Sequence, residues 1–257
     1  MIVYGSAIES VVPATYIQRL EKEKRLNHLL LSYYYLRKSK TITPTMIKDC
    51  IIDSGAHSFQ KGVKVDWDAY TLEYAKWIAA NDAPNIRGYF EMDVDNVLGY
   101  EKVLQLRHVL ETVSGHPEKI IPVWHKNRGI KDFQQTVAEH PIAAVTGFLN
   151  EDIKDNQYLM FLKTAWQHDC WLHGLGQTRR KVLDRVPFDS VDSSSWKQAY
   201  IYGKYHGHKL TRNATRFRGT AERTIDALYT DLEQMQAHYL LKWRNIGVHN
   251  HPPIERR

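Results

Sequence analysis

The chain has 257 residues, 43% of them hydrophobic, which is enough for one large domain with a full core. It carries a net charge of +6 and only two cysteines, Cys50 and Cys170. No apolar run reaches the ~18 residues of a membrane helix, the start "MIVYGSAIES" has no basic segment followed by an apolar one, and two cysteines cannot build the common structural zinc sites. These features set aside membrane-spanning, secreted and zinc-finger classes and favour a soluble protein of the cytoplasm with two buried free thiols.

In chain order, short apolar runs alternate with helical patterns. The first run is "MIVYG" (1–5) and the second "HLLLSYYYL" (28–36). A loop with at most a short helix, "RKSKTITPTMIKD", leads to "CIIDSG" (50–55). Trp67, Tyr70, Tyr74 and Trp77 then step at helical spacing, before the fourth run "IRGYFEMDVD" (86–95). Val103, Leu106, Leu110 and Val113 repeat the helical spacing and precede "KIIPVWH" (119–125). The sixth run is "PIAAVTGF" (141–148), and "NEDIKDNQYLMFLKTAW" reads as a helix with acids in its first turn. "CWLHGLG" (170–176) and "VPFDSVD" (186–192) complete eight runs.

Eight strand-like runs separated by helical segments suggest a parallel (β/α)8 barrel over residues 1–196, with a doubly wound open sheet as the alternative. No GxGxxG or GxxxxGK[ST] loop follows any run. Residues 197–257 hold 11 Lys and Arg against 5 Asp and Glu, so this stretch carries the whole net charge. It opens with the aromatic-laced "GKYHGHKLTRNATRFRGT". It continues with Ile225, Leu228, Leu232, Met235 and Tyr239 at helical spacing, a long helix expected to pack back on the barrel. Local basic excess of this kind suits a polyanionic partner. The HxH pairs His206/His208 and His249/His251 read as solvated loop residues.

Polar residues gather at the carboxyl ends of the runs: Asp53, Asp93 and Asp95, His125, Gly147, His173 and Gly174, Asp189 and Asp192. In a (β/α)8 barrel these ends share one mouth, where active sites lie. Taken singly, Asp53 could be a turn former and Asp95 a helix cap. Strand alternation sends Asp189 and Asp192 to opposite faces unless the strand ends between them.

"IIDSGAHSFQ", "YFEMDVD", "PVWHKNRG", "AVTGF", "LHGLG" and "FDSVDSSSW" occur in the order found in tRNA-guanine transglycosylases. The closer resemblance is to the shorter phage and bacterial relatives that place 7-deazaguanines in DNA. It spans roughly residues 1–196 and implies a (β/α)8 barrel and base exchange through a covalent aspartyl-glycosyl intermediate. By position it implies Asp192 as nucleophile, Asp53 as general acid/base, and Asp93, His125, Gly147, Phe148, His57, His173 and Gly174 around the base. His57 stands where the family has a stacking aromatic and His125 where it has a glutamine. The family's zinc-binding insertion is missing, which favours DNA over tRNA as substrate. A deazaguanine tRNA-ribosyltransferase and a hydrolytic nucleic-acid N-glycosidase are the alternative functions. Lys204, Lys209, Arg212, Arg216 and Arg218 are the expected phosphate contacts, with Tyr202, Tyr205 and Phe217 interleaved for stacking. The expected second substrate is a free 7-deazaguanine base, with no metal and no cofactor. A homodimer or partner proteins are compatible with this reading, as is a place in the host cytoplasm if the chain is phage-encoded.

Overall fold

The computed structural model describes residues 1–59, 65–146, 153–177, 179–196, 204–205, 208–209 and 218–248, with backbone alone at Val11, 204–205, 208–209 and 218–221. The strands are β1 (Ile2–Ser6), β2 (His28–Ser32), β3 (Asp49–Asp53), β4 (Ile86–Phe90), β5 (Ile120–Ile121), β6 (Val123–Trp124), β7 (Ile142–Thr146), β8 (Trp171–Leu175) and β9 (Ser190–Ser193). They form one parallel sheet in the order β5-β4-β3-β2-β1-β9-β8-β7-β6. The two edge strands are consecutive in the chain and joined by Pro122 alone, so the sheet comes round on itself as an α/β barrel whose fifth stave is broken in two. Each of the eight apolar runs contributes to one stave. Such runs read as nearly continuous hydrophobics because both faces of a parallel sheet are covered.

Proline explains the broken stave. It has no N–H for the ladder, but its carbonyl still accepts from Ala144 N at 2.8 Å, which holds β6 to β7. On the other side, Glu91 N donates to Ile121 O at 3.0 Å. The Val123 amide donates to Glu91 Oε1 at 2.6 Å, so a side chain continues the seam where the backbone cannot. Glu91 is fully buried and is held in turn by Arg107 Nε at 2.6 Å.

Alternation sorts the strand residues. Tyr4, Leu30, Ile51, Phe90, Ile121, Val123, Ile142, Ala144 and Trp171 fill the barrel interior. Their neighbours face a surrounding layer that includes the helices α1 (Ile8–Val11), α2 (Ala14–Lys22), α3 (Tyr33–Leu36), α4 (Trp67–Asn81), α5 (Asp95–Leu98), α6 (Tyr100–Ser114), α7 (Gly129–Glu139), α8 (Tyr158–Gln167) and α9 (Arg180–Leu183). Asp66 caps α4 by accepting from Ala69 N at 3.0 Å. The buried faces of α4 and α6 carry Tyr70, Tyr74 and Ile78, and Val103, Leu106 and Leu110, close to the faces that the spacing predicts. Val113 is the exception: it is exposed, at the last turn of α6.

Two elements differ from the sequence reading. The second run is a strand only as far as Ser32; Tyr33–Leu36 is a helical turn that buries Tyr33 and Leu36 outside the barrel. The helix expected from residue 150 begins at Tyr158, and residues 147–152 lie outside the described set. The cysteines are buried and free, as expected.

A last helix, α10 (Arg218–Asn245), crosses the outside of β1 and β2. Ile225, Leu228, Tyr229 and Leu232 join the buried cluster there, and Gln236 Nε2 donates to the carbonyls of Val3 and His28 at 2.9 and 3.0 Å. Gly5 permits the approach: a Cβ at that position would lie 2.4 Å from Leu232 Cδ2. The backbone pairs β10 (Lys204–Tyr205) and β11 (His208–Lys209) form a two-stranded antiparallel ribbon. No helix among the described residues is long and apolar enough to cross a membrane.

Candidate active site

The carboxyl ends of the staves set the site. Within β9 the alternation is decisive. Asp189, just before the strand, turns outward, where its carboxylate accepts from Trp166 Nε1 at 3.1 Å and Leu172 N at 2.8 Å. Asp192, three residues on, turns inward and is buried at the mouth. Its Oδ2 accepts from Ser6 Oγ at 2.7 Å, and its Oδ1 accepts from the Gly176 amide and lies 3.4 Å from His173 Nε2. Burial alone would raise this carboxyl. Hydrogen bonds and charge from His173, with Ser6 and the Gly176 amide, outweigh burial and hold it below its ordinary value.

Asp53 ends β3 in the "DSGA" turn, and its Oδ2 accepts from Gly55 N at 3.0 Å. Gly55 has φ +76°, and a Cβ there would meet Tyr34 Cβ at 2.4 Å, so only glycine lets the turn close. Asp53 is therefore a turn former, but not only that. Burial, and then the charges of Asp192 and Asp93, push its carboxyl up to about 7 against the pull of the Gly55 amide and Ser32. The two inward carboxyls are thus driven apart: Asp192 is held ionised and Asp53 is poised to carry a proton near neutrality. Opposed shifts of neighbouring acids let one side chain carry a proton while the other stays an anion.

Beyond β4 and β6 lies a second group. His125 Nε2 is 2.7 Å from Asp93 Oδ1 and 3.4 Å from Asp95 Oδ1, and Arg128 Nη2 donates to Asp95 Oδ2 at 3.0 Å. The Arg128 guanidinium sits 3.9 Å over the Tyr100 ring. The N-cap of α5 is Val94, and Asp95 is the first residue inside the helix; its side chain pairs with Arg128 and faces His125, which corrects the reading of it as a cap. One ligand atom each from Asp93, Asp95 and His125 lies within 4.8 Å of the others, a spacing a metal ion could use. Arg128 already supplies the positive charge that balances Asp95.

The other expected residues are less tightly grouped. His57 is exposed on the turn Ala56–Phe59. His173 is completely buried beneath Asp192. Gly174 faces the wall side of β8, where a Cβ would approach Val191, Gln177 and Phe188, so it can offer a ligand only its backbone. Gly147, Phe148, Arg212 and Arg216 lie outside the described residues, as do Tyr202 and Phe217; only the backbone is described at Lys204, Tyr205, Lys209 and Arg218. Ser6, Gly176 and Arg128 escaped the sequence reading. Ser6 ends β1 one residue past the first apolar run, and the rule that strand ends meet at the mouth reaches it once the strand is given its full length. Neither protein-family models nor curated proteins give a match to this sequence.

Proposed function

We propose that this protein is a base-exchange transglycosylase that replaces guanine in DNA with a 7-deazaguanine, such as 7-cyano-7-deazaguanine, through an ester of Asp192. The observation that carries the reading is the Asp53/Asp192 pair, with one acid held ionised and the other near 7 at one barrel mouth.

Exchange with retained stereochemistry needs two displacements at the anomeric carbon. In the first, an Asp192 oxygen forms a bond to C1′. The C1′–N9 pair leaves with guanine, which takes the Asp53 proton. In the second, the incoming base gives its N9 proton to Asp53 and bonds to C1′, and the C1′–O pair returns to Asp192. Asp93 is suited to accept from the N1 and exocyclic N–H groups of the base. His125 supports it through the 2.7 Å contact between them. The target nucleotide must leave the stack to reach a barrel mouth. The basic residues Lys204, Lys209, Arg212, Arg216 and Arg218 would hold its backbone.

The test is nucleoside mass spectrometry after incubating the protein with guanine-containing DNA, or tRNA, and free 7-cyano-7-deazaguanine. Guanine release matched by deazaguanine incorporation in DNA is expected. Incorporation in tRNA alone moves the substrate to RNA. Abasic product without incorporation marks a hydrolase. No release from either polymer ends the proposal.

A further inference from the structure

His173 occupies the position at which the resemblance places a base contact, yet its surroundings leave no ring face for a ligand. The side chain is completely buried, with Phe90 at 5.2 Å and Tyr4 at 6.3 Å between ring centroids. Its two nitrogens are both committed. Nδ1 is 2.9 Å from Ser190 Oγ, and Nε2 is 3.4 Å from Asp192 Oδ1. Ser190 Oγ also receives the indole N–H of Trp171 at 2.8 Å. An indole nitrogen can only donate, so this contact uses one lone pair of the Ser190 hydroxyl and leaves its proton available for Nδ1. Nε2 faces a carboxylate oxygen, which can only accept, so the proton on Nε2 is the one aimed at Asp192.

We propose that His173 is a positioning residue for Asp192: with the Gly176 amide it occupies Oδ1 and leaves Oδ2 as the oxygen that attacks C1′ and later departs from it. Among the described residues, Oδ2 carries a single donor, Ser6 Oγ at 2.7 Å, and so keeps a lone pair for bond formation. Oδ1 has both the Gly176 amide and His173. Among the described residues, the titratable groups facing Asp192 are His173 from β8 and Asp53 from β3; β1 offers the neutral Ser6, and the Gly176 turn its amide. Trp171, Ser190 and His173 thus form a chain of donors ending on the carboxylate, built on the inward faces of two paired strands.

The consequence rests on the base-exchange reading. Donors on Oδ1 lower the basicity of the carboxylate. That keeps it ionised for the first displacement and makes it a better leaving group in the second, when the C1′–Oδ2 pair returns to the oxygen. Loss of His173 therefore slows departure more than attack, and the ester accumulates.

The decisive comparison is His173→Leu against His173→Gln, whose side-chain N–H can still reach Oδ1. With DNA and free base, His173→Leu should lower turnover about 10- to 100-fold, the scale of losing one hydrogen bond to a charged group. The trapped covalent fraction should rise and the acid limb of the pH profile should move upward, and His173→Gln should recover most of both. Ser190→Ala should act in the same direction with smaller effect, and it carries the test if His173→Leu does not fold. Carboxyl 13C NMR of Asp192 in the free protein needs no substrate, and its titration midpoint should move upward in His173→Leu. An upward shift in a protein that exchanges no base would retire the proposed reaction, and with it attack by Oδ2, but keep His173 as the group that holds Oδ1. An unmoved Asp192 titration, or a raised KM for the free base at unchanged kcat, would overturn the assignment and return His173 to the base pocket.

Discussion

Ser6 Oγ donates to Asp192 Oδ2 at 2.7 Å, joining the end of the first stave to the end of the last across 186 residues of chain. The two strands pair directly, Tyr4 beside Asp192 and Gly5 beside Ser193. The closing seam of the barrel and the candidate nucleophile are therefore one structure. Asp192→Asn keeps the size of the side chain and removes its charge. Base exchange should fall on the order of 10⁴-fold or more, as when a covalent nucleophile is lost, and denaturing gels should no longer show a protein–DNA adduct. Adduct formation at the wild-type rate would remove Asp192 from the role.

Asp53 gives the pH dependence. Its carboxyl lies near 7 in the folded protein against an ordinary value of 3.8. The proposed exchange needs Asp53 protonated for departure of the first base, so on that proposal kcat/KM for DNA should decline above about pH 7. On the acid side, the rate should hold until Asp192, itself below its ordinary value, takes up a proton.

The same shift makes a stability claim. A carboxyl raised on folding binds its proton more tightly in the native state. Its contribution is complete below the unfolded value and is lost as pH rises through the folded one. Asp53→Asn should therefore be more stable than wild type at pH 8, by about 1–3 kcal/mol in urea unfolding, and nearly equal to it at pH 4, while exchanging base far more slowly. Equal stability at both pH values would place Asp53 in solvent.

Glu91 and Arg107 form a buried ion pair that also holds the Val123 amide at the broken stave. Removing one partner strands the other charge. Arg107→Met should cost about 3–5 kcal/mol, read as a lower urea midpoint. The double variant Glu91→Gln, Arg107→Met should recover part of that loss, because the carbonyl oxygen of the new amide side chain can still accept from Val123. Additive losses would mean that the pair is not coupled.

The basic stretch is tested by salt. Neutralising Arg212, Arg216 and Arg218 together should weaken binding to DNA and lower the slope of log K against log salt by about 2–3. An unchanged slope would make these residues a solvated tail.

Much of this protein is legible in one dimension. Each of the eight staves follows an apolar run, and α4, α6 and α10 follow apolar positions spaced by three and four. Burial on both faces of a parallel sheet, or on one face of a helix, is written locally. The same holds for the clustering of acids at strand ends, since parallel strands all finish on one side. Local pattern overran where an apolar run continued past its strand, as at Tyr33–Leu36, where Tyr33 and Leu36 are buried against helices rather than in a sheet.

Sequence alone thus determined the barrel's staves and the acids and histidines at their carboxyl ends, though not Ser6, Gly176 or Arg128, because alternation and helical spacing depend on neighbours a few residues apart. Tertiary structure alone decided which of those residues do what. Asp189 and Asp192 have the same chemistry, and only their partners from other parts of the fold, Trp166 and Leu172 for one and Ser6, Gly176 and His173 for the other, separate an outward brace from an inward carboxylate. Asp95 became an ion-pair partner rather than a cap because Arg128 arrives from another stave. Protonation follows the field of groups brought together through space, and chain order does not encode that field.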